Sequence, residues 1–176
     1  MFNDEFNGIA ANPGLDLFPT ELQADMDAVN EWVYSDINNG VYRCGFATKQ
    51  KPYLEAIQRL YDALDKAEGI LSKQRYLVGS QLTAADIRLF VTLVRFDQVY
   101  VVHFKCNRKR ILDYPALHAY MLDVYQTPGV AETVKMEDIK THYFTSHPNI
   151  NPHGIIAEGP VDDLNAPHGR DTAFSQ

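Results

Sequence analysis

Apolar residues recur at helical spacing along most of the chain. Over residues 20–37 they fall three or four positions apart, the spacing that lines one face of an α-helix. Thr20 and Gln23 match a capping box at the start of this helix, and the Asn-Asn-Gly sequence at 38–40 predicts its end. A second helix is predicted over 51–72, because its early proline is tolerated in a first helical turn.

The third predicted helix has the clearest start. Thr83 is placed to cap it and Asp86 occupies the third helical position, so each side chain should bond the backbone N–H of the other residue. Leu82 and Ile87 flank this capping box as a hydrophobic staple. The residues that follow, up to Val99, are apolar on nearly all sides, which is typical of a central helix in a bundle. From the capping box alone, Asp86→Ala should lower the free energy of unfolding by about 1 kcal/mol.

Two shorter helices are predicted over 115–125 and 130–143, separated by a Thr-Pro-Gly turn signal. From His147 onward the chain is rich in proline, glycine, asparagine and histidine and has no periodicity. Residues 147–176 are therefore predicted to form an irregular tail, either ordered or flexible. With no strand pair and no repeat visible, the sequence predicts an all-α fold, a bundle of about five helices.

Composition narrows the class of protein. The chain has 176 residues, of which 45% are hydrophobic and 22% charged, as in a single globular domain. A net charge of −7 argues against a nucleic-acid partner, and the cations at 105–110 are interpreted as a solvated loop. Neither a long apolar run nor a signal peptide is visible, so we expect no membrane association and a cytoplasmic location.

Few residues suggest catalysis or metal binding by their pattern alone. Cys44 and Cys106 are far apart in the sequence, which excludes a disulfide framework, and both are expected to be reduced thiols. Neighbouring cations could lower the pKa of Cys106, although a structural thiol is the favoured interpretation. His142 and His147 are five positions apart, which does not place two ligands on one helical face, and no metal site is expected. Asp97 is interpreted as one half of an ion pair with an arginine of its own helix or of the tail.

Several longer motifs point to one family. They are residues 77–86 around the capping box, 38–48 around Tyr42, 92–106, 125–134, 140–147 around Tyr143, and the tail motifs at 150–152, 159–160 and 167–170. Together these motifs resemble glutathionyl-hydroquinone reductases, which are glutathione-transferase-type enzymes. The resemblance covers essentially the whole chain and implies the fold of a glutathione-transferase C-terminal helical domain.

The resemblance also implies a chemistry. Such enzymes remove glutathione from glutathionyl-hydroquinones: a cysteine on a thioredoxin-like N-terminal domain attacks the thioether sulfur, and a second glutathione regenerates the thiol. By the match of their motifs, Tyr42 and Tyr143 would be the tyrosines of the substrate pocket. Glutathione would be a co-substrate bound mainly by the other domain, and the helical half would pair into a homodimer.

On this view the thioredoxin-like domain and its catalytic cysteine would lie upstream of Met1. Residues 1–19 are then expected to be the remnant of that domain's last helix and a linker, 20–146 the helical domain, and 147–176 the tail. A fragment, a split gene product or a mispredicted start would each give this sequence. The chain would be the aromatic-substrate-binding and dimerisation half of the reductase, without a catalytic residue and inactive alone. The alternative is a non-catalytic binding or assembly module.

Overall fold

Helices make up all the regular secondary structure of residues 5–175, the part of the chain that this computed structural model describes. The predicted all-α fold is confirmed for these residues, and none of their helices is long and apolar enough to cross a membrane. The α-helices are α1 (Gln23–Trp32), α2 (Asn39–Gly45), α3 (Gln50–Leu71), α4 (Ala84–Arg95), α5 (Val101–His103), α6 (Pro115–Tyr125), α7 (Met136–Ser146) and α8 (Arg170–Ala173).

Two helical runs change pitch in the middle. A π-helical segment, Val33–Asn38, joins α1 to α2, and a second, Phe96–Tyr100, joins α4 to α5. The predicted end of the first helix at 38–40 is therefore wrong. Gly40 lies buried inside the helix, and an added Cβ would lie 3.4 Å from Leu60 Cδ1, an ordinary van der Waals distance, so the packing of α2 on α3 does not itself require glycine there.

Two helix starts also differ from the prediction. Thr20 lies in a 3₁₀ turn, and α1 begins at Gln23 without a side-chain cap. The last long helix, α7, begins at Met136 rather than at Val130, because a 3₁₀ turn at Ala131–Thr133 comes first. The bounds of α3 and α6 agree with the predicted helices over 51–72 and 115–125.

Asp86 anchors the start of α4 within the core. Both bonds of the capping box with Thr83 are present, and the fully buried Asp86 carboxylate accepts the Thr83 N–H at 2.9 Å. The same carboxylate accepts the Leu77 N–H at 2.8 Å and the Tyr120 hydroxyl at 3.0 Å. One side chain therefore joins the start of α4 to the preceding loop and to α6.

One face of α4 is open. Its buried side chains are Ala85, Asp86, Leu89, Phe90, Thr92, Leu93 and Val94. Ile87 and Val91, however, are 39% and 41% exposed. The hydrophobic staple therefore buries little surface, and the expectation of a helix buried on nearly all sides is wrong for this face.

The tail packs against the bundle. Arg170, at the start of α8, is buried, and its guanidinium donates to the carbonyls of Leu71, Gln74 and Arg75 at 3.1, 2.9 and 2.6 Å. These carbonyls lie at the end of α3 and in the loop that follows it. Of the two alternatives for the tail, the contacts favour the ordered one.

Candidate functional site

Three tyrosine hydroxyls meet where α2, the second π-helical segment and α7 converge. The hydroxyl oxygens of Tyr42 and Tyr143 are 2.6 Å apart, and those of Tyr143 and Tyr100 are 2.9 Å apart. The structure thus brings together the two tyrosines singled out in the sequence, and Tyr42 lies within α2. Sequence reasoning missed Tyr100, whose place in an apolar helical run carries no separate signal.

The three phenols differ in their access to solvent. Tyr42 is 38% exposed, whereas Tyr100 and Tyr143 are buried. Three hydroxyl groups supply three protons, and the two bonds between them use two. One O–H therefore remains for a group outside the cluster, and the exposed Tyr42 is placed to offer it.

Burial keeps the inner phenols neutral. It raises the pKa of Tyr143 to about 12 and places the pKa of Tyr100 far above its usual value. The positive charge of Arg95 acts against burial at both tyrosines, but with a smaller effect. At neutral pH both groups are therefore hydrogen-bond donors that hold their protons.

A cavity of about 430 Å³ opens beside the phenols. The side chains that line it come from the first helical run, from α4 and its π-helical extension, and from α7: Tyr34, Asn38, Tyr42, Arg88, Val91, Thr92, Arg95, Tyr100 and Tyr143. Asn38 donates to the Arg88 carbonyl at 2.9 Å and to the Thr92 hydroxyl at 2.6 Å. Its buried Oδ1 has no hydrogen-bond partner within residues 5–175. The cavity thus combines aromatic faces, hydroxyl donors, an unused amide acceptor and two guanidinium groups.

Packed aromatic rings hold the phenols in place. The rings of Phe104 and Tyr100 are stacked, with centroids 5.5 Å apart and an angle of 10° between their planes. Phe104 also lies 5.3 Å from the ring of Tyr42 and 5.9 Å from that of Tyr143. Because Phe104 is fully buried and touches all three tyrosines, it positions the cluster.

Two histidines lie next to this aromatic cluster. His103 Nε2 and His147 Nδ1 are 3.0 Å apart, and the ring of His147 is 6.0 Å from that of Tyr143. Burial, together with the nearby His147 ring, lowers the pKa of His103 to about 4. His103 is therefore neutral at pH 7, and the pair links the end of α5 to the start of the tail.

Comparison with known proteins places this geometry in a family. Residues 43–122 match the model of the glutathione S-transferase C-terminal domain. Over these residues the chain is therefore similar to a glutathione S-transferase C-terminal domain. The glutathionyl-hydroquinone reductase YqjG of Escherichia coli K12 is 53% identical over 174 residues, which are 99% of this chain and 53% of that protein. The reductase PcpF of Sphingobium chlorophenolicum is 47% identical over 164 residues, 93% of this chain and 52% of that protein.

A solved structure shows the same domain. The glutathione-bound structure of YqjG from Escherichia coli K-12 superimposes with a TM-score of 0.96 at 52% identity, covering 99% of this chain and 56% of that one. The chain is thus homologous to glutathionyl-hydroquinone reductases over nearly all of its residues, and it spans about half the length of the curated relatives it matches. The assignment of residues 1–19 to a preceding domain stays a prediction, and residues 1–4 lie outside the described part.

The two cysteines of the glutathione-transferase domain meet in the core. Cys44 and Cys106 are 1% and 0% exposed, and their thiols are hydrogen-bonded to each other. Burial, ahead of all other effects, raises the pKa of the Cys106 thiol well above its usual value, although Lys105 acts in the opposite direction. The idea that neighbouring cations activate Cys106 is therefore wrong.

We expect both thiols to be unreactive in the native protein. Under native conditions Ellman's reagent should label neither Cys44 nor Cys106, because the reagent cannot reach a buried thiol. In denaturing urea it should label both, which serves as the control. Rapid native labelling, lost in Cys106→Ser, would contradict this expectation and make Cys106 a candidate nucleophile.

Asp97 has a structural partner other than the one predicted. Its carboxylate accepts the backbone N–H groups of Ile111 and Leu112 at 2.7 and 3.1 Å, and burial raises its pKa. It forms no ion pair with Arg95 or with the tail's Arg170, which binds carbonyls elsewhere. Asp97 therefore caps the short 3₁₀ helix at 111–113, and its local sequence contained no sign of this distant contact.

One group of potential metal ligands occurs in residues 5–175: Asp123, His168 and Asp171. Arg75 donates to the Asp123 carboxylate at 2.8 and 2.9 Å and to Asp171 at 2.6 Å. His168 lies 3.8 Å from Asp123 and 3.5 Å from Asp171. Because the Arg75 guanidinium already pairs with both carboxylates, the chemistry of this group favours an ion-pair network that joins the tail to α6.

Proposed function

We propose that this chain is the aromatic-substrate-binding half of a glutathione-dependent reductase that removes glutathione from glutathionyl-hydroquinones. The observation that supports this most strongly is the hydroxyl cluster of Tyr42, Tyr143 and Tyr100 at a cavity, in a chain homologous to two such reductases. A hydroquinone offers a flat ring and two oxygens. The cavity offers aromatic rings and hydroxyl donors, which match them.

The geometry suggests what the phenols do during the reaction. The ring carbon that bears sulfur first gains a proton as a ring hydroxyl loses one, which gives the keto tautomer. When a thiolate then attacks the glutathionyl sulfur, a disulfide forms, and the electron pair of the broken C–S bond restores the aromatic ring and places negative charge on its oxygen until that oxygen is protonated. A phenol that holds its own proton, such as Tyr143, stabilises that charge through the hydroxyl cluster and Tyr42.

In this proposal the attacking thiolate comes from outside the 176 residues. Cys44 and Cys106 are both buried away from the cavity lining, so neither can reach a substrate sulfur. The thiol, and with it the glutathione site, would then be supplied by a segment that faces the open side of α4. Pairing into a homodimer is part of the same proposal.

The test is binding of hydroquinone to the 176-residue chain, measured by NMR titration of the backbone amides. Tyr42→Phe removes one hydroxyl and is expected to weaken binding about three- to tenfold, which corresponds to one neutral hydrogen bond. Tyr125→Phe is the matched control, because it removes a phenol outside the cavity lining. It should leave the affinity unchanged.

Three outcomes would contradict the proposal. If the Tyr42→Phe chain and the unaltered chain bound hydroquinone with equal affinity, the phenols would not be part of the binding site. Absence of hydroquinone binding would favour a second candidate, a non-catalytic assembly module, which the burial of both thiols also supports. Glutathione-dependent turnover by this chain that requires Cys106 would show that the nucleophile lies within it.

A further inference from the structure

The α4 wall of the tyrosine cavity carries two arginines. Arg88 and Arg95 both line the cavity and are seven positions apart, so they leave the same face of α4 about 10 Å from each other along its axis. Arg95 is the one whose charge acts on the phenols of Tyr100 and Tyr143. Arg88 lies at the other end, with its guanidinium 5.9 Å from the ring centre of Tyr34.

Neither arginine has a negative partner in residues 5–175. The ion-paired arginines there are Arg43, Arg59, Arg75, Arg110 and Arg170. The lining of the cavity contains no aspartate or glutamate among these residues. Arg95 uses one N–H to bond the Val91 carbonyl at 2.5 Å, and a guanidinium has five such donors.

Unpaired guanidinium groups beside neutral phenols favour an anionic ligand. A carboxylate accepts two parallel bonds from one guanidinium, and such charge-assisted bonds are about twice as strong as neutral ones. The phenols on the other side of the cavity are donors as well, so the site has an excess of donors and of positive charge.

We propose that Arg95, assisted by Arg88, forms an anion subsite, so that the cavity takes hydroquinone-type rings that carry a carboxylate. The inference rests on the proposed function and adds the substrate class to it. The ring oxygens lie at the phenols, and the carboxylate accepts hydrogen bonds from Arg95. Arg88, farther from the phenols, adds positive charge and has the smaller effect.

The experiment compares hydroquinone with 2,5-dihydroxybenzoate on the 176-residue chain, by NMR titration at pH 7 and low salt. The carboxylate should make dihydroxybenzoate bind about tenfold more tightly than hydroquinone. Arg95→Gln should remove most of this advantage, Arg88→Gln a smaller part, and Arg95→Lys should keep some of it because the charge remains. Added NaCl should reduce the advantage, since screening weakens an exposed charge pair.

Arg110→Gln is the control, because it removes the same charge from a half-exposed arginine that does not line the cavity. It should leave the preference for dihydroxybenzoate intact. Equal affinities of the unaltered chain for the two ligands, or a preference that survives Arg95→Gln, would overturn the anion subsite. If the anion subsite is overturned but hydroquinone binding still depends on Tyr42, the proposed function is retained. If neither ligand binds, both proposals are contradicted.

Glutathione also carries carboxylates, so it is titrated alone in parallel. Binding of glutathione that requires Arg95, without binding of dihydroxybenzoate, would assign the arginine to the peptide and overturn a ring carboxylate as its ligand. Binding of dihydroxybenzoate that requires Arg95 in the absence of glutathione is the expected result.

Discussion

Asp86→Ala is expected to lower the free energy of unfolding by about 3–5 kcal/mol, several times the effect of an ordinary helix cap. The substitution leaves the N–H groups of Leu77 and Thr83 without their acceptor, and the Asp86 site is fully buried. The Tyr120 hydroxyl loses the carboxylate and keeps only its longer bond, 3.2 Å, to the backbone carbonyl of residue 86. Each buried donor that loses its partner costs about 1–3 kcal/mol, because it has left water without gaining another bond.

Urea unfolding, monitored by circular dichroism, measures this loss in the free energy of unfolding. Asp113→Ala is a matched control, since Asp113 also accepts the backbone N–H of a capped residue, Arg110, but lies 40% exposed on the surface. The urea unfolding midpoint of Asp113→Ala should shift far less than that of Asp86→Ala, because water replaces the lost acceptor. If both variants lost the same small amount, Asp86 would act only as a local cap.

Gly45→Ala is the second change with a large expected effect, a loss of about 2–3 kcal/mol from overpacking. An added Cβ would lie 2.8 Å from Phe104 Cε1 and closer still to two other carbons of that ring. Phe104 is fully buried and stacked on Tyr100, so it cannot move without disturbing the phenols. Hydroquinone binding should therefore weaken together with stability, and both are measured on the same sample.

The chain offers a control and a rescue for this substitution. Gly69→Ala also adds a methyl group to a helical glycine, but nothing lies within 4 Å of the new atom. It should stabilise the protein by about 0.5–1 kcal/mol, the usual difference between alanine and glycine in a helix. Phe104→Leu, combined with Gly45→Ala, should recover part of the lost stability. An unchanged unfolding midpoint in Gly45→Ala would show that the ring of Phe104 has room to move.

Sequence reasoning identified the features that depend on neighbours in the chain. The helical period predicted the all-α fold and the bounds of α3 and α6, because amphipathic spacing follows directly from burial on one face. The capping box at Thr83 and Asp86 was visible for the same reason. The two additional partners of Asp86 come from elsewhere in the chain, and the sequence-based estimate of 1 kcal/mol was low because it could not include them.

Features set by contacts between distant residues were not predictable. The Asn-Asn-Gly sequence at 38–40 is locally typical of a helix end, yet the helical run continues through it, with Gly40 buried beside Leu60. For the candidate site, family motifs pointed to Tyr42 and Tyr143, whereas Tyr100 and Phe104 lie in a run where most positions are apolar. Which side of such a helix faces a cavity depends on packing, and the periodicity of this run does not show it.

The two π-helical segments decide where the helical runs can tolerate a change in chain length. In an α-helix each residue turns the chain by about 100°, and a π-helical turn accommodates an additional residue within a single turn. Removal of one residue from Phe96–Tyr100 would therefore return the run to α-helical pitch and leave the direction of Phe104 relative to α4 nearly unchanged. Removal of one residue from α4 itself would instead rotate Tyr100 and Phe104 by about 100° relative to the start of that helix. A deletion of a single codon, a minor event in a sequence comparison, would therefore disturb the three hydroxyls far more in a regular helix than in a π-helical segment.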